Sequence, residues 1–149
     1  MEPTRHITSG SDECTLIIMD DDSGIREALR LLFDSSPVHV LGEADSAAAG
    51  IELVERLNPD MALLDISMPG MNGFRAAREL RRRMPHVHVI FLSEHTDRAY
   101  VDEAFESGAR AYVFKKKASR DLLNAVQAVL SGHTFISPSP AGLPCSQAL

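Results

Sequence analysis

The sequence predicts a doubly wound α/β domain, (βα)5 with a five-stranded parallel sheet, on three observations. Five apolar runs of strand length alternate with stretches whose apolar residues recur at helical spacing. The connections are short, and parallel strands need right-handed crossovers, which put helices on both faces of the sheet. Chemistry-bearing residues fall at the ends of the strand runs, where open parallel sheets bind their ligands.

The elements follow in order. Leu16-Ile17-Ile18-Met19 marks a first strand, ended by Asp20-Asp21-Asp22 and followed by the helical stripe Ile25, Leu29, Leu32. A second strand at about 38–42 ends in Gly42-Glu43-Ala44, which offers no obvious chemistry, and leads to the stripe Ile51, Val54, Leu57. Asn58-Pro59-Asp60 stops that helix, because a residue before proline avoids helical angles. The third strand, about 61–65, delivers Asp65 into the turn Met68-Pro69-Gly70-Met71-Asn72-Gly73, then Phe74, Ala77 and Leu80 repeat helically up to Met84-Pro85-His86. The fourth, about 87–92, is followed by Ser93, then by the stripe Val101, Ala104, Phe105 and a stop at Ser107-Gly108. Ala111-Tyr112-Val113-Phe114 forms the fifth strand, closed by Lys115 and followed by Leu122, Val126 and Val129. Residues 1–13 read as a disordered leader, 14–133 as the domain, and 134–149, with Pro138, Pro140, Gly142 and Pro144, as a linker or tail.

Composition narrows the function. The 149 residues suit one domain, and 44% apolar residues suffice for one core. The net charge of −6 gives no basic field for phosphate backbones, so nucleic-acid binding by this chain alone is not expected. Arg81-Arg82-Arg83 reads as a solvated helix end. His86 and His88 alternate on a strand, without the Cys/His spacing of a zinc site. The sequence contains neither an apolar run of membrane-spanning length nor, near Met1, a signal-peptide core, so a cytoplasmic protein with no membrane partner is expected. Cys14 and Cys145 read as incidental thiols in polar terminal segments.

With a strand order of 2-1-3-4-5, Asp20/Asp21, Asp65, Ser93 and Lys115 come from four neighbouring strand ends. Clustered carboxylates repel unless a cation joins them, and an all-oxygen donor set favours Mg2+. Lys115 can pair with Asp65 or with a phosphoryl oxygen, and Ser93 can donate a hydroxyl. Carboxylate nucleophile, metal, lysine and hydroxyl together describe formation of an aspartyl phosphate. Taken singly, each residue has a plainer role: the acids cap a helix, with Asp22 the expected cap, Ser93 caps the next one, Asp65 opens an Asx turn, and Lys115 is a solvated strand end.

Four motifs, Ile17-Ile-Met-Asp-Asp-Asp-Ser-Gly-Ile-Arg26, Asp65-Ile-Ser-Met-Pro-Gly-Met-Asn-Gly73, Phe91-Leu-Ser-Glu94 and Gly108-Ala-Arg-Ala-Tyr-Val-Phe-Lys-Lys116, give the chain a family resemblance. Over about residues 15–131 it resembles the receiver domain of two-component response regulators, a flavodoxin-like fold. The resemblance implies that Asp65 is the phosphoacceptor and that Asp20 and Asp21 are the acidic pair, with Asp21 binding Mg2+ directly; a register shifted by one along Asp20–Asp22 stays open. It implies the Ser67 carbonyl as a further ligand, Ser93 as the switch hydroxyl, Tyr112 as the aromatic that changes rotamer, and Lys115 as the site lysine. Phosphate would draw Ser93 inward and open space for the Tyr112 ring, changing the surface of the fourth helix, fifth strand and fifth helix. Ser67 and His95 flank the implied path of the hydrolytic water and would tune dephosphorylation.

The implied partners are a histidine kinase or histidine phosphotransfer protein and a possible second copy. DNA would be reached only through an output domain absent from this chain, because Val129–Pro138 resembles the junction before a LuxR-type output domain. One departure is Lys116, where the family usually has proline, so the loop after the fifth strand is expected to differ. Two other readings remain: a degenerate receiver acting as a constitutive binding module, and a small aspartyl-phosphate phosphatase. Against the latter, Ser67 stands where such enzymes carry a second acid. The chain is therefore expected to be a signalling switch rather than an enzyme, beyond Mg2+-dependent self-phosphorylation and autodephosphorylation.

Overall fold

The computed structural model describes residues 13–138. Of the expected leader (1–13), residues 1–12 lie outside the described residues, as do residues 139–149 of the expected linker or tail (134–149), Cys145 among them. The elements run β1 (Cys14–Met19), α1 (Ser23–Asp34), β2 (Val38–Ala44), α2 (Ala47–Leu57), β3 (Met61–Leu64), α3 (Gly73–Arg83), β4 (His88–Ser93), α4 (Arg98–Glu106), β5 (Ala111–Phe114), α5 (Ala118–Leu130) and β6 (Phe135–Ile136). All strand pairs are parallel. The sheet order is β2-β1-β3-β4-β5-β6, so the expected five strands become six. The added strand, Phe135–Ile136, falls inside the stretch read as linker or tail and pairs with Ala111 and Tyr112.

Alternation along each strand divides the core into two layers. Leu16 and Ile18 face Leu29, Phe33, Leu122 and Val126 of α1 and α5. Ile17 and Met19 face Ile51, Val54, Ala77 and Leu80 of α2 and α3. Each fully buried side chain of this size contributes roughly 1.5–3 kcal/mol from removal of apolar surface. Contrary to the sequence expectation, Cys14 opens β1 at 1% exposure inside the α1/α5 layer and does not lie in a polar terminal segment. Burial, helped by Asp60, pushes its thiol up to about 12.

Local chemistry explains the helix starts. Asp22 caps α1, its Oδ1 accepting from Gly24 and Ile25. Ser46 and Asn72 cap α2 and α3 by accepting from the amides three residues on. Asn58 ends α2 in the left-handed region at φ 52°. Gly73 has a distinct reason: a Cβ there would overlap the Asp65 carbonyl oxygen and sit 2.9 Å from the Ile66 Cα. Only glycine lets α3 start directly against the backbone of Asp65, where the Gly73 amide donates to the Ile66 carbonyl at 2.8 Å.

Candidate functional site

The register of the sheet sets the site. The Asp65 amide donates to the Met19 carbonyl at 2.9 Å and the Asp20 amide to that of Ala44 at 3.1 Å, fixing both aspartates just beyond their strands. Asp20 is 2% exposed, Asp65 8%, and Asp21 faces solvent. Carboxylate oxygens of Asp20, Asp21 and Asp65 lie within 4.8 Å of one another, the one such cluster among the described residues. Two are buried and one is open, which suits a cation that keeps part of its water shell.

Lys115 reaches in from the end of β5. Its Nζ lies 3.0 Å from Asp20 Oδ2 and 3.5 Å from Asp65 Oδ2, and its side chain is 13% exposed, so it is no solvated strand end. Burial works against the ammonium, but the hydrogen bond to Asp20 and the fields of both carboxylates outweigh it and hold it above the usual lysine range. Burial first, and the Asp20 charge second, push the Asp65 carboxyl above its ordinary value, against the opposing pull of Lys115 and the Ile66 amide. The Ile66 amide donates to Asp65 Oδ1 at 2.8 Å, leaving Oδ2 as the oxygen turned toward Lys115. Lys115–Lys117 continue as a single 3-10 turn, with no cis bond after Lys115.

A second string of contacts leads away from the site. Ser93 is fully buried, and its Oγ accepts from the His95 amide at 3.0 Å. The His95 carbonyl in turn accepts from the Tyr112 hydroxyl at 2.8 Å. Ser93 does not cap α4, whose first residue follows Asp97 without a side-chain cap. Tyr112 is 0% exposed, tilted on Phe91 and edge-on to Phe114, with ring centroids 6.3 and 6.0 Å away. Its ring is thus held in the interior between Phe91 and Phe114, with its hydroxyl satisfied by the His95 carbonyl. Burial raises the Tyr112 phenol. The His95 ring stacks on Tyr100, with centroids 4.0 Å apart, and Ser67 is exposed in the loop after Asp65.

Sequence reasoning missed a brace. Glu43, at the strand end that offered no obvious chemistry, holds Arg26 at 2.8 Å and Arg30 at 2.7 Å. Arg26 Nη1 donates to the Asp20 carbonyl at 2.6 Å, while the Asp22 amide donates to Asp20 Oδ1 at 2.9 Å. Asp20 is thus oriented from both its main chain and its carboxylate. An acid on a strand and its arginines on the helix before it leave no shared periodic trace, so only their charges could have hinted at the pairing. Elsewhere, Arg82 and Arg83 pair with Glu79 at the end of α3, and His86 contacts Asn58.

The family profile of the response regulator receiver domain matches residues 16–127. The chain is 36% identical over 124 residues to the transcriptional regulatory protein DegU of Brevibacillus brevis, covering 83% of this chain and 52% of that one. It is 33% identical over 130 residues to the nitrate/nitrite response regulator protein NarL of Escherichia coli K12, covering 87% and 60%. It thus spans about half to three fifths of the length of these relatives. A crystal structure of a LuxR-family two-component response regulator from Aurantimonas sp. SI85-9A1 superposes with a TM-score of 0.81 at 29% identity, over 85% of this chain and 91% of that one.

Proposed function

The chain belongs to the response regulator receiver family, and from that membership we propose that it is a phosphorylation switch whose phosphoacceptor is Asp65. The carrying observation is the cluster of three carboxylates with the Lys115 ammonium lodged between Asp20 and Asp65. The donor set fits Mg2+: Asp20, Asp21 and Asp65, with the Ser67 carbonyl, would hold it. When bound, the ion would neutralise charge on the phosphoryl oxygens.

The chain's own groups do the rest. A carboxylate oxygen of Asp65 attacks the phosphorus of a phosphohistidine on a kinase or phosphotransfer protein; an acyl phosphate forms as the P–N bond breaks, and the imidazole leaves. Lys115 exchanges its contact with Asp65 for one with a phosphoryl oxygen. Ser93 donates its hydroxyl hydrogen to another, while its oxygen keeps the His95 amide. Phosphate would act by holding Ser93 and the His95 backbone in place and so favouring the buried position of the Tyr112 ring. The surface affected comprises α4, β5 and α5. By likeness to DegU and NarL, the proposed setting is the receiver part of a transcriptional regulator. Among the described residues no helix is long and apolar enough to cross a membrane.

The test compares wild type with Ser93→Ala, with and without Mg2+ and the phosphoryl mimic beryllofluoride, by amide chemical shifts. Shifts across 97–131 in wild type that shrink in Ser93→Ala support the switch; equal shifts in both proteins contradict it.

A further inference from the structure

Ser137 joins three parts of the domain. Its amide donates to the Tyr112 carbonyl at 2.9 Å, and its hydroxyl donates to Asp121 Oδ2 at 2.7 Å. Both side chains are buried, Ser137 at 3% and Asp121 at 0% exposure. A carboxylate fully out of water is tolerated only when hydrogen-bonded, and here Ser137 and Arg120, at 3.1 Å, supply donors. Ser137 has one hydroxyl hydrogen, and it is committed to α5. The preceding strand reinforces the joint: Phe135 is 3% exposed in the α1/α5 layer, its amide donates to the Arg110 carbonyl at 3.2 Å, and Ile136 lies beside Tyr112.

The main chain of Tyr112 therefore carries β6, while its side chain carries the bond to His95 and, through it, Ser93. A two-residue strand has little pairing of its own, so its docking depends on the shape of the β5 edge and on the Asp121 contact. We propose that β6 and the Ser137–Asp121 hydrogen bond form a clasp that couples the position of the Tyr112 ring to the docking of the chain at Phe135–Ser137. The clasp deepens the switch reading, since it takes Ser93 and Tyr112 as the groups that respond to the phosphorylation site. Coupling of this kind is reciprocal: a ring held inward favours a docked β6, and a docked β6 favours the inward ring.

The experiment measures amide hydrogen exchange of Phe135 and Ser137 in the full chain. Tyr112→Phe deletes the bond to His95 and keeps the ring, and exchange at both amides is expected to rise at least about fivefold, the lower end of ordinary site-to-site coupling. The core amides of Ile18 and Leu63 should stay unchanged. Ser137→Ala should raise exchange at Phe135 and move the Ser93 and His95 amide signals, and Ser137→Thr, which keeps the hydroxyl, should restore both. Unchanged exchange in Tyr112→Phe, or a rise shared equally by Ile18 and Leu63, overturns the clasp. Beryllofluoride with Mg2+ should slow exchange at Ser137 in wild type. If the Ile66 amide responds to it and Ser137 does not, the clasp is overturned while the switch reading stands. If Ile66 does not respond, the phosphoacceptor reading fails, and the Tyr112→Phe comparison alone decides the clasp.

Discussion

Replacing Asp65 by asparagine should stabilise the metal-free protein at neutral pH. The substitution keeps size and leaves an oxygen for the Ile66 amide, while Lys115 retains Asp20 at 3.0 Å. At an effective dielectric of 20, repulsion between Asp65 and Asp20 at the outer limit of 4.8 Å is about 3.5 kcal/mol, and attraction to Lys115 at 3.5 Å is about 4.7 kcal/mol. These nearly cancel, so desolvation of the carboxylate, several kcal/mol in gross terms, decides the sign. That agrees with burial being the leading cause of the raised Asp65 carboxyl. A carboxyl raised in the folded state holds its proton more tightly there than in the unfolded chain. Its favourable contribution is complete below the unfolded value near 3.9 and is lost as pH rises through the folded value. Asp65→Asn avoids that loss, so its advantage should grow as pH rises above about 4 and, with desolvation of the carboxylate as its source, amount to about 1–2 kcal/mol at neutral pH, a shift of roughly 3–8 °C in Tm. Thermal or urea unfolding in EDTA across that pH range measures it. A variant no more stable than wild type at neutral pH, or a difference independent of pH, would show that burying the Asp65 carboxylate carries no net cost.

Three further outcomes are expected. Arg26→Ala frees the Asp20 carbonyl and should weaken Mg2+ binding by about tenfold in an amide-shift titration, as loss of a partner that orients a ligand does; unchanged affinity would show that the brace does not position Asp20. Ser67 and His95 should set the lifetime of the acyl phosphate, and substitutions at both that leave dephosphorylation within about twofold of wild type would remove that role. Cys14, buried and with its thiol pushed up to about 12, should resist iodoacetamide in the native protein and react once urea unfolds it; rapid native alkylation would contradict its place in the core.

The alternation of apolar runs and helical stripes made five strands, five helices and the doubly wound plan legible, because each element had to bury one face against the next. The strand ends of Asp20, Asp65 and Lys115 could be read for the same reason. What escaped had no local period. Phe135–Ile136 is too short for alternation to register and depends on a β5 edge formed by Ala111 and Tyr112, well upstream in the chain. Cys14 extends the inward series of Leu16 and Ile18 by one step, a signal present in the pattern but masked by the polar residues before it. The brace of Glu43 on Arg26 and the inward Tyr112 ring arise from tertiary contacts alone.

Intact mass after incubation with acetyl phosphate decides whether Asp65 accepts a phosphoryl group with Mg2+ at this site. The expected result is a gain of one phosphate in wild type with Mg2+, absent in excess EDTA and absent in Asp65→Asn. A phosphate gained equally by Asp65→Asn, or in the presence of the chelator, would contradict the account.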